Sequence, residues 1–376
     1  MHELFFKLLL VLLPTQLGYH TWPARAMVLG RRVDFLSPTL YLTDILIFLI
    51  ILFWLIKNKF SIFNFSVKGG SASGRQFSIL IFVFATINIF FATNRMVAAY
   101  AWLKIVEYSL LGFYIYYTKP KWNTMIQYLS IGVLYSSLIA IGQFIFQHSL
   151  GLWIFGERTF SNQTPGIAQF DFRGLWLRAY ATFPHPNVLG GFLAILLPLI
   201  LFKLKSSFYK ITTIVFGIIA ITLTFSRSAW IAFALGFALQ KRKLLLPFVV
   251  FAIFIVSTLG VRDESVVVRQ ELNNSAITMF RESPIVGKGM GNFLVELPNH
   301  LVSRQIYFLQ PVHNIFLLIL SETGIIGFTL FFLILWRFKK PMLIIIIFLG
   351  FIDHYFLTLQ QGQLLLTILL SSTIGL

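Results

Sequence analysis

The sequence predicts an all-α polytopic membrane protein: a bundle of about twelve transmembrane helices with a small helical cap on its outer face. Three observations predict it. Hydrophobic residues make up 57% of the 376, and mean hydropathy is +0.83. Charged residues are only 11%, against about a quarter in ordinary soluble domains. Apolar runs of transmembrane length recur along the whole chain. A water-soluble fold cannot hide that much apolar side chain, 42 phenylalanines among it. Cysteine is absent, which excludes disulfides, thiolate metal sites and thiol nucleophiles.

A crossing helix needs ~20 mainly apolar residues. That length places spans at 4–20, 39–56, 76–93, 97–117, 125–147, 185–202, 210–225, 227–240, 244–260, 313–336, 341–357 and 362–376. The chain therefore reads as one membrane domain over 1–376. At its start, Ala24-Arg25-Ala26 imitates a signal-peptide cleavage site. Pro14 breaks the preceding apolar core, however, and a first membrane helix is the better expectation. Short gaps between spans carry basic clusters with no acid: Lys57, Lys59, Lys68 and Arg75; Lys119 and Lys121; Lys203, Lys205 and Lys210; Lys241, Arg242 and Lys243; Arg337, Lys339 and Lys340. Such Lys-rich loops mark the cytoplasmic side. With twelve spans both termini fall inside, and every one of these clusters does too. The formal charge of +17 is thus accounted for by membrane lipid, and no nucleic acid is expected as a partner.

Within the fourth span, Lys104 and Glu107 lie three apart and are expected to form a buried pair holding the bundle. Two gaps face outward. Residues 148–184 form the first; residues 261–312 form the second, a large external loop. Val266, Val267, Leu272, Ile277, Met279 and Phe280 predict an amphipathic helix in it.

Outward basic residues are nearly all Arg, with Lys288 the exception. Lysine is a hydrated point charge, whereas arginine offers a fixed fork of donors matched to phosphate oxygens. Some of these arginines can pair with outward acids; the rest suggest an anion-binding surface. Arg227 is the most informative. It sits in Thr224-Phe225-Ser226-Arg227-Ser228, a tight outward turn that starts a new helix. A helix N-terminus with hydroxyls and a guanidinium can bind an anion. The same residue could instead snorkel to the membrane surface.

His313 follows Pro311 and opens a long apolar helix, which holds it at the outer membrane surface on a rigid element. A neutral imidazole can accept a proton from a sugar hydroxyl. It could also simply cap the helix. Ser321, Gly324 and Gly327 form a small-residue stripe, expected to admit a neighbouring helix. Glu322 on the same helix is expected to support the site or to lie at the lipid interface. Pro284 to Gly291 mimics a nucleotide-binding glycine loop, but no Gly-Lys-Ser/Thr follows and no buried strand precedes it. A turn under the cap is expected there.

Taken together these pieces resemble the O-antigen ligase/polymerase (WaaL/Wzy-like) superfamily of bacterial envelope glycosyltransferases. Phe183-Pro184-His185-Pro186-Asn187 is similar to its Pro-Asn element, and Ser226-Arg227-Ser228 to its arginine turn. Arg269, followed by Pro284, Gly287 and Gly289, is similar to its large outer loop. His313-Asn314, nine residues, then Gly324-Ile325-Ile326-Gly327 is similar to its histidine signature. The motifs span 180–335, an O-antigen ligase-like core. The resemblance implies a GT-C-type fold. It also implies a donor glycan on undecaprenyl pyrophosphate, and as acceptor a glycan, lipid or protein hydroxyl. It implies His313 as catalytic base, Arg227 and Arg269 as pyrophosphate ligands, and Asn314 and Asn187 as substrate-binding residues. No metal and no cofactor are implied. The expected location is the bacterial inner membrane, with the site facing the periplasm. Phe183-Pro184-His185 and Asp353-His354-Tyr355 receive no role. A membrane transporter of a small anion or lipid-linked sugar is the competing reading, although no matching halves are visible.

Overall fold

A computed structural model describes residues 1–58, 72–171, 173–205, 207–241, 243, 246–247, 250–251, 254, 263–301, 309–337 and 341–372. Helices dominate. The first half contains α1 (His2–Leu12), α2 (Leu42–Lys57), α3 (Ala72–Phe91), α4 (Arg95–Thr118) and α5 (Trp122–Phe146). The second half contains α6 (Pro186–Lys203), α7 (Phe208–Leu223), α8 (Arg227–Gln240), α9 (Asp263–Glu282), α10 (Phe293–His300), α11 (Ile315–Arg337), α12 (Pro341–Gly350), α13 (Tyr355–Thr358) and α14 (Gln360–Ser371). Four of them, α4, α5, α6 and α11, are long and apolar enough to cross a membrane. Shorter apolar stretches lie at Leu80–Phe91 and Phe208–Leu223. Large apolar side chains such as Phe48, Leu103, Leu138 and Val215 face outward from the bundle. So much exposed apolar surface suits lipid rather than water, and the apolar helices point to a multi-pass membrane protein.

Local chemistry sets the helix ends. Pro186 occupies the first position of α6, where its missing N–H costs nothing, and His185 caps it by accepting from the Asn187 amide at 3.1 Å. Asn94 caps α4 through the Met96 and Val97 amides, and Ser207 caps α7. Helix α6 is apolar on all sides and correspondingly buried along most of its length, at the centre of the main core. It packs against α5, α7 and α8.

Several expectations need correction. The first span stops at Leu12 rather than 20; at ~1.5 Å per residue its helix is roughly 16 Å long, about half the hydrocarbon thickness. Beyond it the chain turns at Pro14 and enters strands. Three two-stranded antiparallel ribbons make the outward segments mixed rather than helical. They are β1 (Gly18–His20) with β4 (Thr39–Tyr41), β2 (Met27–Val28) with β3 (Arg31–Arg32), and β5 (Gln169–Asp171) with β6 (Leu175–Leu177). The expected span 341–357 is divided into α12 and α13, with Asp353 and His354 in the gap. Most of the expected span 244–260 lies outside the described residues, as do Lys59, Lys68, Arg242, Arg262, Arg304, Lys339 and Lys340.

A second core builds the cap. Leu272, Ala276 and Met279 of α9 and Phe293, Leu294 and Leu297 of α10 pack with Ala26, Val28, Val33 and Leu36 from the amino-terminal segment. The amphipathic helix is thus present, but Val266 and Val267 lie on its exposed side.

Helix α11 is broken where a continuous small-residue stripe was expected. Gly324 has φ 61° and ψ −164°, a conformation open in practice only to glycine. The segment 284–291 lies along the break. Amides of Lys288 and Gly289 donate to the carbonyls of Ser321 and Glu322, each at 2.9 Å. The Ile325 amide donates to the Pro284 carbonyl at 2.9 Å, and Asn88 Nδ2 donates to Val286 at 2.8 Å. Backbone groups released by the break are therefore re-paired, as an apolar surrounding requires.

Candidate active site

Asn314 starts the site by fixing α11. Its side chain accepts from the Phe316 and Leu317 amides at 2.9 and 3.1 Å, so it caps the helix whose preceding residue is His313. The imidazole is thereby held at the helix mouth. Its Nδ1 faces Asp353 Oδ1 at 3.4 Å, longer than a well-formed hydrogen bond, and makes no other hydrogen bond among the described residues. The His354 ring lies 5.1 Å from that of His313, centroid to centroid. Three of the chain's seven histidines, His185, His313 and His354, thus gather around one carboxylate.

Asp353 is buried and tightly held. The His354 amide donates to Oδ1 at 2.8 Å, and Asn187 Nδ2 donates to Oδ2 at 3.2 Å. Burial alone would raise its pKa. The His313 imidazole beside it, with His354 and His185 nearby, outweighs burial and holds the carboxyl well below the usual range. The carboxylate is therefore ionised. His354 responds in the opposite sense: burial pushes it down to about 3, so it stays neutral. Burial, aided by the Arg178 guanidinium, likewise pushes His185 down to about 3.

Behind Asn187 stands Arg178. Its guanidinium donates to Asn187 Oδ1 at 2.9 Å and, through Nε, to the Thr224 carbonyl at 2.7 Å. A continuous polar chain therefore runs from the Thr224–Ser228 turn through Arg178, Asn187 and Asp353 to His313. In that turn Phe225 has φ 47°, and Ser226 and Ser228 hydroxyls lie 3.2 Å apart across the start of α8.

A cavity of about 1070 Å³ opens beside this group, lined by His185, His313, Asp353 and His354. Residues of α11 on both sides of the Gly324 break, from Leu318 to Ile334, line it. Ile81 and Phe84 of α3, Lys104 and Tyr108 of α4 and Gln363 of α14 also line it.

Of the residues singled out from sequence, His313 lines the cavity. Asn187 supports it through Asp353, and Asn314 positions it as a cap. Arg227 sits half-buried in the first turn of α8 and Arg269 half-buried on α9. Neither is among the cavity-lining residues, although Arg269 lies near enough to His354 to disfavour its protonation. Asp353, His354 and Arg178 are functional candidates to which the sequence reading gave no role. One signal was available: Asp353 is the only acidic residue after Glu322, set within an apolar stretch where an ionised side chain is costly. His313, Asp353 and His354 also offer ligand atoms within 4.8 Å of one another, a spacing a divalent ion could use. Glu322 accepts from the Phe293 amide at 3.1 Å, which ties α11 to the cap.

Against known families, residues 212–332 match the model described as O-antigen ligase (Wzy_C), about a third of the chain. The matched region runs from α7 into α11. It includes Arg227, Arg269, His313 and Asn314 and leaves out Arg178, Asn187 and Asp353. Ligases of that family are glycosyltransferases. Neither a curated protein nor a solved structure matches the chain.

Proposed function

We propose that this chain, with its O-antigen ligase region at 212–332, acts in surface polysaccharide biosynthesis by transferring a glycan from undecaprenyl pyrophosphate to an acceptor hydroxyl. The acceptor is a glycan, lipid or protein, and the reaction takes place at the outer face of the bacterial inner membrane. The observation that carries this reading is the His313–Asp353 pair, set in the lining of a cavity of about 1070 Å³.

Chemistry follows from which nitrogen is free. Nδ1 of His313 faces an ionised carboxylate, so it carries the proton, and Nε2 keeps its lone pair for the acceptor hydroxyl. Nε2 takes the hydroxyl proton as the acceptor oxygen bonds to the anomeric carbon. The bond from that carbon to the pyrophosphate oxygen breaks, and lipid pyrophosphate leaves with the electron pair. Asp353 stabilises the imidazolium that forms, a division of labour familiar from Asp–His pairs in hydrolases. Negative charge grows on the leaving group; Arg227 and Arg269 are proposed to neutralise it as fixed donors, which requires the pyrophosphate to sit outside the cavity lining, where both arginines lie. Apolar lining residues such as Ile81, Phe84, Leu330 and Phe331 suit the prenyl chain. Attack by the acceptor in a single displacement inverts the anomeric centre, and no metal takes part.

The test is transfer in vitro from an undecaprenyl-pyrophosphate glycan to a panel of acceptors, with and without chelator. His313→Ala is expected to lower transfer by about 10²–10⁴-fold, and chelator to leave the wild type unchanged. Full activity in His313→Ala sinks the base assignment. Activity that falls with chelator and returns with added metal sinks the metal-free mechanism and favours ligation by His313, Asp353 and His354. A deep cavity with buried charges also suits a transporter; substrate flux in proteoliposomes without bond formation would favour that reading.

A further inference from the structure

Around Asp353, two ring nitrogens and a carboxylate oxygen converge with more lone pairs than protons. His354 shows this most clearly. Its Nδ1 lies 2.6 Å from the Thr358 hydroxyl, and that hydroxyl donates its own proton to the His354 carbonyl at 3.2 Å. Nδ1 must therefore be the donor, which leaves Nε2 a bare acceptor. Nε2 makes no hydrogen bond among the described residues and lies 3.9 Å from Asp353 Oδ1, itself an acceptor. His313 Nδ1 stands 3.4 Å from the same oxygen and likewise has no hydrogen-bond partner among the described residues.

The groups behind these atoms hold them in place. Thr358 fixes the far nitrogen of His354, and Phe35 packs edge-on against its ring, centroids 5.5 Å apart. The His354 amide and Asn187 each take one oxygen of Asp353. Side chains steadied in this way through their second polar atoms are the usual support of a metal ion. Spacing agrees. Two ligands of a tetrahedral ion, each at ~2.0–2.1 Å, stand about 3.3 Å apart; the separations here are 3.4 and 3.9 Å. One ligand atom from each of the three residues lies within 4.8 Å of the others, and all three residues line the cavity, through which an ion can arrive. Two imidazoles with one carboxylate suit Zn²⁺, whereas Mg²⁺ and Ca²⁺ prefer all-oxygen ligands.

We propose that His313 Nδ1, Asp353 Oδ1 and His354 Nε2 form a site for Zn²⁺ whose occupancy blocks glycan transfer. The block rests on the reading of His313 as the base; the binding does not. An ion on Nδ1 takes the lone pair there, so the single imidazole proton moves, by exchange with solvent, to Nε2. Nε2 then has no lone pair for an acceptor hydroxyl. The ring stays neutral, and nothing is oxidised or reduced. Zinc is thus an inhibitor of the metal-free reaction and takes no part in turnover. The Arg269 guanidinium, near enough to His354 to oppose a positive charge there, weakens binding and keeps it reversible.

Equilibrium dialysis of the full chain in nanodiscs against Zn²⁺ tests the site, and transfer assays with added Zn²⁺ test the block. Saturable zinc binding is expected, retained in excess Mg²⁺, and transfer should fall as the site fills and recover with chelator. Thr358→Val removes the hydroxyl that orients His354. It is expected to weaken zinc binding about tenfold, to raise the half-inhibiting zinc concentration by the same factor and to leave zinc-free transfer unchanged. Thr358→Ser, which keeps the hydroxyl, should bind as the wild type does. No saturable binding by the wild type overturns the site. So does wild-type zinc affinity in both Thr358→Val and His354→Ala, which would place the ion elsewhere. Zinc that binds without slowing transfer, or transfer that requires zinc, overturns the block. Dialysis needs no bond formation, so a chain that binds zinc yet transfers no glycan in zinc-free buffer keeps the site and loses the reaction. Transfer by a chain that binds no zinc does the reverse.

Discussion

Asp353 shows how much one side chain can depend on partners distant in sequence. It takes hydrogen bonds from Asn187 and the His354 amide and faces His313. If it holds the imidazole in one tautomer, Asp353→Asn should cost kcat on the order of a hundredfold or more, with KM nearly unchanged. Steady-state kinetics with a fixed acceptor would read this, and Asp353→Glu should recover part of the loss. Arg227→Lys is expected to lose most transfer, because a point charge lacks the bidentate fork; unimpaired turnover in that variant would remove Arg227 from the assigned role. His354 carries a pH prediction. Its folded pKa, about 3, lies below the ~6.5 of a free imidazole. Between those values the unfolded chain binds the extra proton, so stability falls as pH drops from about 6.5 toward 3. Melting temperature in detergent should decline through that window, and His354→Gln should flatten the decline.

Among the elements, broken α11 is the most informative. Its apolar run was legible as one long helix, and its glycines as a place of close approach. The break was not legible, because what stabilises it is the remote segment 284–291, whose amides take over the released carbonyls. Gly324→Ala should therefore destabilise the protein by about 1–3 kcal/mol from backbone strain alone. The added Cβ would also meet the Ile285 carbonyl. Thermal unfolding in detergent checks this, and a wild-type melting temperature would mean the break is dispensable. The first helix illustrates the opposite error: hydropathy extended it through Pro14, whereas the helix ends at Leu12. Helices α4 to α8 match their expected spans closely, because apolar runs there meet clear boundaries, such as the starts at Pro186 and Ser207 and the stop at the Lys119–Lys121 turn.

At the scale of the molecule, the site draws on segments far apart in the chain: Arg178 and Asn187, then Thr224, then His313, then Asp353. The histidine signature was readable because its residues are local. The carboxylate and guanidinium that complete it were not, because only the packing of α6, α8 and the α12–α13 gap brings them together. A single-displacement reaction in this cavity predicts a product of inverted anomeric configuration, which proton–proton coupling at the anomeric position by NMR would read. Retention would argue for a covalent intermediate and against His313 as a simple base.

The cap core has an ordering consequence for biosynthesis. Ala26, Val28, Val33 and Leu36 leave the ribosome early, yet the α9 and α10 side chains that cover them are translated much later. During insertion this leading apolar patch stays unsheltered while helix after helix passes through the translocon. Chaperone attention in the cell should therefore concentrate on the nascent amino-terminal segment, and truncations that end before α10 should be cleared by proteolysis rather than accumulate.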